Sequence, residues 1–291
     1  MKQLTVLSGK GGTGKTTITA SLAVLADKAV LADCDVDAPD LHMLLHPKVI
    51  RTQKFKGTKL AVIDKAKCTE CKVCSEKCRF DAITGDLKVD PISCEGCAVC
   101  TLVCPVDAIT LVDRISGYAY VSKTGYGFMA HAMLSPGEAN SGKLATLVRQ
   151  NAKSLSEEED SDLIIIDGPP GIGCPVIASV TGVDAGLVVT EPTMSGIHDL
   201  ERALRLLKHF NVEPFVCINM FDINKENTSK ITSYCRKNGI DVVGKIPFNP
   251  TVTKAMVNGK PVVEYASESD VTKEIVKMWK RITTVPPFRS G

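Results

Sequence analysis

A chain of 291 residues with 44% apolar content is long enough for one large domain with a small insert, or for two modest domains, and is far from a disordered composition. Its 35 basic and 33 acidic residues leave a net charge of +2, so charge alone implies no nucleic acid and no anionic membrane as partner. No run approaches the roughly 18–20 uninterrupted apolar residues of a membrane span. The opening MKQLTVLSGKGG lacks an apolar signal core with a cleavage site, so a cytoplasmic protein is expected.

In chain order, residues 2–8 (KQLTVLS) are predicted to form a buried strand, followed by a Gly-rich loop, a helix from about Lys15 to Asp27 and a second apolar strand over 29–33. This rhythm indicates a parallel sheet with right-handed crossovers. It breaks between about Asp64 and Asp113, where CTECKVCSEKCRFDAI from Cys68 recurs 26 residues later as CEGCAVCTLVCPVDAI from Cys94. A duplicated unit is the reading. Residues 123–143 are expected to be a long loop near the site. The rhythm then resumes with strands at 162–167 (DLIIID), 185–190, 214–220 and 241–246, and with a helix over Ile197–Phe210. Runs such as LIII are apolar on both faces, as strands covered by helices must be. The two α/β parts need each other to complete one sheet, so the Cys-rich segment is an insertion. The expected division is 1–63 and 114–291 for the α/β domain and 64–113 for the insert.

Gly9-Lys10-Gly11-Gly12-Thr13-Gly14-Lys15-Thr16 fits G-x-x-x-x-G-K-[ST], follows a strand and opens a helix. Glycines let backbone N–H groups converge on phosphate oxygens, and the helix N-terminus adds positive potential. Lys15 is expected to reach the β- and γ-phosphates of ATP and Thr16 to ligate Mg²⁺, with Thr17 beside them. With Lys10 included, GKGGTGKTT resembles the deviant phosphate loop of the MinD/Mrp/ParA ATPases and of the nitrogenase iron protein. That resemblance implies an α/β P-loop fold with a mostly parallel, doubly wound sheet. It implies a homodimer sandwiching ATP, with Lys10 crossing to the partner's nucleotide. It also implies that Asp33 lies near Mg²⁺, Asp35 orients the attacking water, Asp167 is the Walker B aspartate and Asn219 reads adenine. The segment 246–265 resembles the family's stretch beside the base.

Of twelve cysteines, eight fall in two runs of C-x2-C-x2-C-x3-C spacing, and with no export signal metal ligation is a better reading than disulfides. Zinc is the competing metal, but its sites usually separate pairs of cysteines by longer spacers. The runs resemble the bacterial ferredoxin signature, in which the fourth cysteine of each run ligates the other cluster. The resemblance implies a small α+β ferredoxin-type insert with two [4Fe-4S] clusters. One would take Cys68, Cys71, Cys74 and Cys104, the other Cys94, Cys97, Cys100 and Cys78. Arg79 stands where the second run has Pro105, and a cation beside a cluster raises its potential, so the two sites are not expected to be equivalent.

Cys34, Cys217 and Cys235 are isolated and read as buried thiols, and His42 and His46 as packing or surface residues. Glu157–Asp160 reads as a solvated helix end, and Glu274–Ile282 as an amphipathic helix docked on the sheet. Cys174 lies seven residues after Asp167. In the nitrogenase iron protein a cysteine at that offset helps bridge two subunits through a shared cluster, which implies a thiol near the dimer axis here. Residues 134–147 hold no second cysteine, so a shared cubane lacks half its ligands, and a small buried residue opening a helix is the competing reading.

The function implied is an ATPase whose nucleotide cycle times electron delivery, or metal or iron–sulfur cofactor assembly, on a client apoprotein or redox partner. The alternatives are a ParA/MinD-like spatial organiser and a plain electron carrier with a vestigial ATPase. A redox insert disfavours the first, and the intact loop with Asp35 and Asp167 disfavours the second.

Overall fold

The computed structural model describes residues 1–289; the final two positions of the expected 114–291 segment lie outside the described residues. The strands are β1 (Lys2–Ser8), β2 (Val30–Asp33), β3 (Lys48–Phe55), β4 (Thr58–Ile63), β5 (Ile109–Arg114), β6 (Gly117–Thr124), β7 (Gly127–Leu134), β8 (Leu163–Pro170), β9 (Ala185–Thr190), β10 (Glu213–Asn219) and β11 (Asp241–Ile246). The helices are α1 (Lys15–Leu25), α2 (Leu41–Leu45), α3 (Val73–Glu76), α4 (Val99–Leu102), α5 (Ser141–Glu158), α6 (Cys174–Val180), α7 (Met194–His209), α8 (Lys225–Lys237), α9 (Pro250–Val257), α10 (Val262–Tyr265) and α11 (Asp270–Thr284).

Nine strands form one sheet in the order β11-β10-β9-β1-β8-β2-β7-β6-β3. Every contact from β11 to β7 is parallel. By compactness the chain divides into two units. The first comprises residues 1–52, 119–132 and those from Ser141 on; the second comprises Gln53–Tyr118 and Met133–Asn140.

At β9, β1, β8 and β2 the sheet is covered on both faces, which is why these strands are buried along nearly their whole length, whereas β3 is exposed at every residue but Phe55. Leu4, Val6, Leu31, Ile165 and Leu187 pack with α1, α10 and α11. Their neighbours point the other way, where Thr5 donates its hydroxyl to Ser179 O of α6 at 2.8 Å and Gly186 meets Leu207 of α7. The segment 274–282 lies within α11, whose Val271, Ile275, Met278 and Ile282 are buried. Met278 is fully buried, and a Cβ added at Gly244 of β11 would fall 2.8 Å from its sulfur. Met278→Ala is therefore expected to cost about 2–5 kcal/mol through lost burial and a residual cavity, read as a lowered denaturant midpoint with unchanged slope.

The expected loop over 123–143 is a correction. Residues 117–134 are the strands β6 and β7, joined at Gly125-Tyr126, and only 135–140 is loop before α5. Gly125 and Tyr126 form the turn, and Gly127 opens β7. Thr124 caps the turn, accepting from the Tyr126 N–H and donating to Gly127 O, and Gly127 adopts φ +136° where a Cβ would strike Ala29 O.

In the second unit β4 and β5 pair antiparallel from Thr58↔Arg114 to Ile63↔Ile109. The two Cys-rich repeats share one backbone. Each enters its short helix through a left-handed residue, Lys72 (φ 62°) before α3 and Ala98 (φ 69°) before α4, and each turns again at Asp81 (φ 51°) or Asp107 (φ 49°). Their small core combines Ala61, Ala82, Ile83 and Ile109 with Cys74 and Cys94.

Candidate functional site

The loop Gly9–Thr16 joins the C-terminal end of β1 to α1. Gly12 (φ +81°) and Gly14 (φ +89°) hold the left-handed conformations that turn successive N–H groups inward. A Cβ on Gly14 would sit 2.4 Å from Asn219 Nδ2, which donates to Thr13 O at 2.8 Å. Asn219, ending β10, thus props the loop from behind. The hydroxyl of Thr13 is buried without a partner.

Parallel pairing brings the acidic residues together. Val6 is level with Asp167 and Asp33 is level with Asp167, so both carboxylates flank the strand end that launches the loop. Asp167 is fully buried, and its oxygens accept from Thr16 Oγ1 (2.9 Å), Thr19 Oγ1 (2.8 Å) and Lys15 Nζ (2.9 Å). Asp33 accepts from the backbone N–H groups of Asp35 (3.1 Å) and Leu41 (3.3 Å). Lys15 also lies 3.8 Å from Asp35. Burial alone would lower the Lys15 pKa, but Asp167, Asp33 and Asp35 override it and hold the ammonium firmly charged. Burial, with the Asp167 charge beside it, pushes the Asp33 carboxyl well up, against the pull of Lys15. Burial likewise pushes Asp35 up to about 6, with Lys15 opposing. One ammonium thus neutralises only part of a three-carboxylate cluster, which leaves hard oxygen donors suited to a divalent cation that also binds phosphate oxygens.

In front of this cluster lies a cleft of about 390 Å³. Gly11, Gly12, Lys15, Thr16, Thr17 and Asp35 line its polar end, and Asn219, Phe248, Val252 and Met256 its apolar end. A polar mouth of convergent N–H groups beside an apolar slot suits a phosphorylated ligand with a flat base.

Lys10 does not face this cleft's carboxylates. Its ammonium pairs with Glu191 at 2.6 Å and donates to Ser195 Oγ at 3.1 Å, both at the β9–α7 turn. Thr193 Oγ1 donates to the same Glu191 carboxylate at 3.2 Å. Glu191 and Thr19 escaped sequence reading. Thr19 stands one helical turn after Lys15, a spacing that places both on one face, whereas nothing local marks Glu191. Cys174 is exposed at the start of α6, not buried as its packing alternative required, beside Gly142 of α5.

All twelve cysteines are free, and Cys34, Cys217 and Cys235 are buried. His46 is an exposed residue, its Nε2 lying 2.7 Å from Gly259 O. In the second unit burial raises the Cys74 thiol, with Cys71 and Cys68 adding to it, and burial raises Cys100, with Cys94 and Cys97 adding. Cys74 and Cys94 are buried, whereas Cys71 and Cys97 are exposed. Among the described residues no group of three or more His, Cys, Asp or Glu side chains is arranged to hold a metal ion. A cavity does bring Cys78 together with Cys94, Cys97 and Cys100, walled by Phe80, Ala82, Ile83 and Leu111. Four cysteines lining one apolar cavity are soft thiolate donors of the kind that iron–sulfur species or zinc take.

An uncharacterized protein of Methanocaldococcus jannaschii is 36% identical over 283 residues, 96% of this chain and 96% of its own length. An iron-sulfur cluster carrier protein of Pyrococcus horikoshii is 31% identical over 119 residues, 36% of this chain and 39% of its own. The fold is similar to that of the septum site-determining protein MinD of Pyrococcus horikoshii in complex with Mg-ADP, with a TM-score of 0.62, 18% identity and coverage of 99% of this chain and 98% of that one. The CobQ/CobB/MinD/ParA nucleotide binding domain model matches residues 4–262, which contain the loop, the acidic cluster and Asn219. With its parallel sheet and phosphate loop, the chain belongs to this CobQ/CobB/MinD/ParA family of nucleotide-binding domains.

Proposed function

We propose that this chain is an ATP-driven, dimeric iron–sulfur protein that couples ATP binding and hydrolysis to electron delivery, or to metal or iron–sulfur cofactor assembly, on a client protein. The observation that carries this reading is the cavity that sets Cys78 of the first cysteine run among Cys94, Cys97 and Cys100 of the second, in a chain that also holds a formed phosphate loop. The name of the Pyrococcus carrier protein supports the same class.

In this reading Gly9–Thr17 cradle the phosphates of ATP, and Lys15 leaves Asp167 to neutralise the β- and γ-oxygens. Thr16, Asp33 and Asp167 hold Mg²⁺, which supplies charge neutralisation of the phosphates. Asp35, which lines the cleft, orients the attacking water. Asn219 meets the base. Cys68, Cys71, Cys74 and Cys104 hold one [4Fe-4S] cluster and Cys78, Cys94, Cys97 and Cys100 the other, each supplying a one-electron couple when bound.

Anaerobic purification with iron and sulfide analysis, followed by EPR of the reduced protein with and without ATP, tests the reading. About eight iron and eight sulfide per chain are expected, with signals or reduction rates that differ between nucleotide states. Zinc without labile sulfide would sink it.

The Lys10–Glu191 contact sets a further expectation. For Lys10 to cross to a partner's nucleotide, this intrachain pair must open. Lys10→Ala is expected to bind ATP with little change in affinity but to remain monomeric with a non-hydrolysable analogue, under conditions where the unaltered chain sediments as a dimer. An unaltered chain that stays monomeric with the analogue contradicts the sandwich.

A further inference from the structure

The nine-stranded sheet ends on one side at β3, a strand of eight residues with only Phe55 buried. An outermost strand leaves every second N–H and C=O without a partner, so natural edges are kept short, bulged or covered. None of these devices is seen at β3, which is longer than the usual strand of about five to six residues. Among the described residues, the backbone groups of residues 48–54 bond to β6 alone. Neither face is covered, since the adjacent Val49 and Ile50, which point to opposite faces, are 54% and 60% exposed. The other outermost strand differs. β11 packs against α11, with Met278 against Gly244 and Arg281 paired to Asp241.

In a chain of net charge +2, residues 41–63 contain no Asp or Glu but hold Lys48, Arg51, Lys54, Lys56 and Lys59. Lys56 pairs with Asp113 at 3.7 Å, whereas among the described residues Lys48, Arg51 and Lys54 pair with no acid. Charges on an edge keep copies of a chain from joining. Antiparallel pairing of two β3 strands about Arg51 would set Arg51 against itself and Lys48 against Lys54. With no acid in the strand, no other register offers an opposite charge either, and like charges directly opposite are destabilising. The same charges that repel a second copy attract an acidic strand.

We propose that the free edge of β3 is a docking site for an extended acidic segment of another protein, which adds to the sheet as one more strand. Main-chain hydrogen bonds supply affinity in this mode, and side chains supply specificity. Lys48 and Lys54 share one face with Ile50 and Thr52, and Arg51 shares the other with Val49 and Gln53. The complementary strand therefore carries acids opposite Lys48, Arg51 and Lys54, and β-branched residues opposite Val49 and Ile50. Because both faces of β3 are open, these charges rather than burial fix the register. The surface stands on β3 alone and does not depend on the iron–sulfur reading.

The test is fluorescence anisotropy of a labelled heptapeptide, Glu-Thr-Thr-Glu-Val-Val-Glu, titrated with the full chain. Laid antiparallel, it sets its three acids opposite Lys54, Arg51 and Lys48. Saturable binding is expected. N-methylation of one alternate set of its amides should abolish binding and methylation of the other set should spare it, because a strand pairs through one edge at a time. Arg51→Glu should weaken binding about tenfold, and a peptide with lysine at its fourth position should recover it. A thermal melt of Arg51→Glu accompanies the titration, and the lysine peptide keeps the variant informative in its own right. Equal binding of both methylated peptides overturns the proposal, since a charged patch without strand pairing would give that result. Absence of saturable binding up to about 1 mM overturns it as well. A nucleotide-free chain that sediments as a dimer, and that the peptide converts to monomer, would assign the edge to a second copy and overturn the acidic partner.

Discussion

Lys15→Ala is expected to abolish nucleotide binding, with a loss of affinity of about a hundredfold or more. The lysine is only 7% exposed, and among the described residues its ammonium is the only cation paired with Asp35 and Asp167. Two effects combine. The alanine forfeits charge-assisted bonds to two phosphates, each worth about 1.5–3 kcal/mol, and about 1.4 kcal/mol is a factor of ten in affinity. It also leaves an uncompensated acidic cluster facing a polyanion. Isothermal titration with ATP and ADP measures the loss. Affinity within threefold of the unaltered protein would remove Lys15 from the site. Breaking a buried ion pair is itself destabilising, by about 3–5 kcal/mol, so a thermal melt without nucleotide must accompany the titration. A folded variant that no longer binds is the expected outcome. Thr19→Ala gives the milder control, since it removes one bond to Asp167 and leaves Lys15 in place.

Cys78→Ala is expected to remove one cluster and leave the other, taking iron from about eight to about four per chain. The count alone does not say which cluster is lost; pairing two substitutions does. In the cavity Cys78 stands with Cys94, Cys97 and Cys100, so Cys78→Ala and Cys97→Ala strike the same site. The double variant should still hold about four iron, no fewer than either single one, because a site already empty cannot be emptied again. Cys78→Ala with Cys71→Ala should instead lose both clusters. If each run ligated its own cluster the two results would exchange, with Cys78 and Cys97 emptying both sites and Cys78 and Cys71 only one. The EPR signal of each single variant then identifies the surviving cluster.

Much of the molecule was legible in short stretches of sequence because it depends on short-range chemistry. Gly9–Thr16 announces a phosphate loop since glycine takes the left-handed turns at Gly12 and Gly14 without steric cost. LIII before Asp167 and LVV before Thr190 announce covered parallel strands, since both faces must be apolar. The amphipathic spacing of Val271, Ile275, Met278 and Ile282 announces a docked helix. The repeat from Cys68 and Cys94 declares a duplicated unit by its spacing alone.

Other features belong to tertiary structure. The strands β3, β4, β5, β6 and β7 were not read, because segments without the long apolar runs of the central strands become strands only when neighbours pair with them. Lys10 meets Glu191 across 181 positions of chain only because β1 and β9 lie side by side. Asp33 and Asp167 face the same loop because β8 lies between β1 and β2, a register that no local pattern encodes. The exposure of Cys174 follows from where α6 leaves β8. Local propensity selects loops, helices and buried strands residue by residue; parallel pairing selects which of their ends meet, through contacts between distant segments, and it is at those ends that the charged groups of this protein gather.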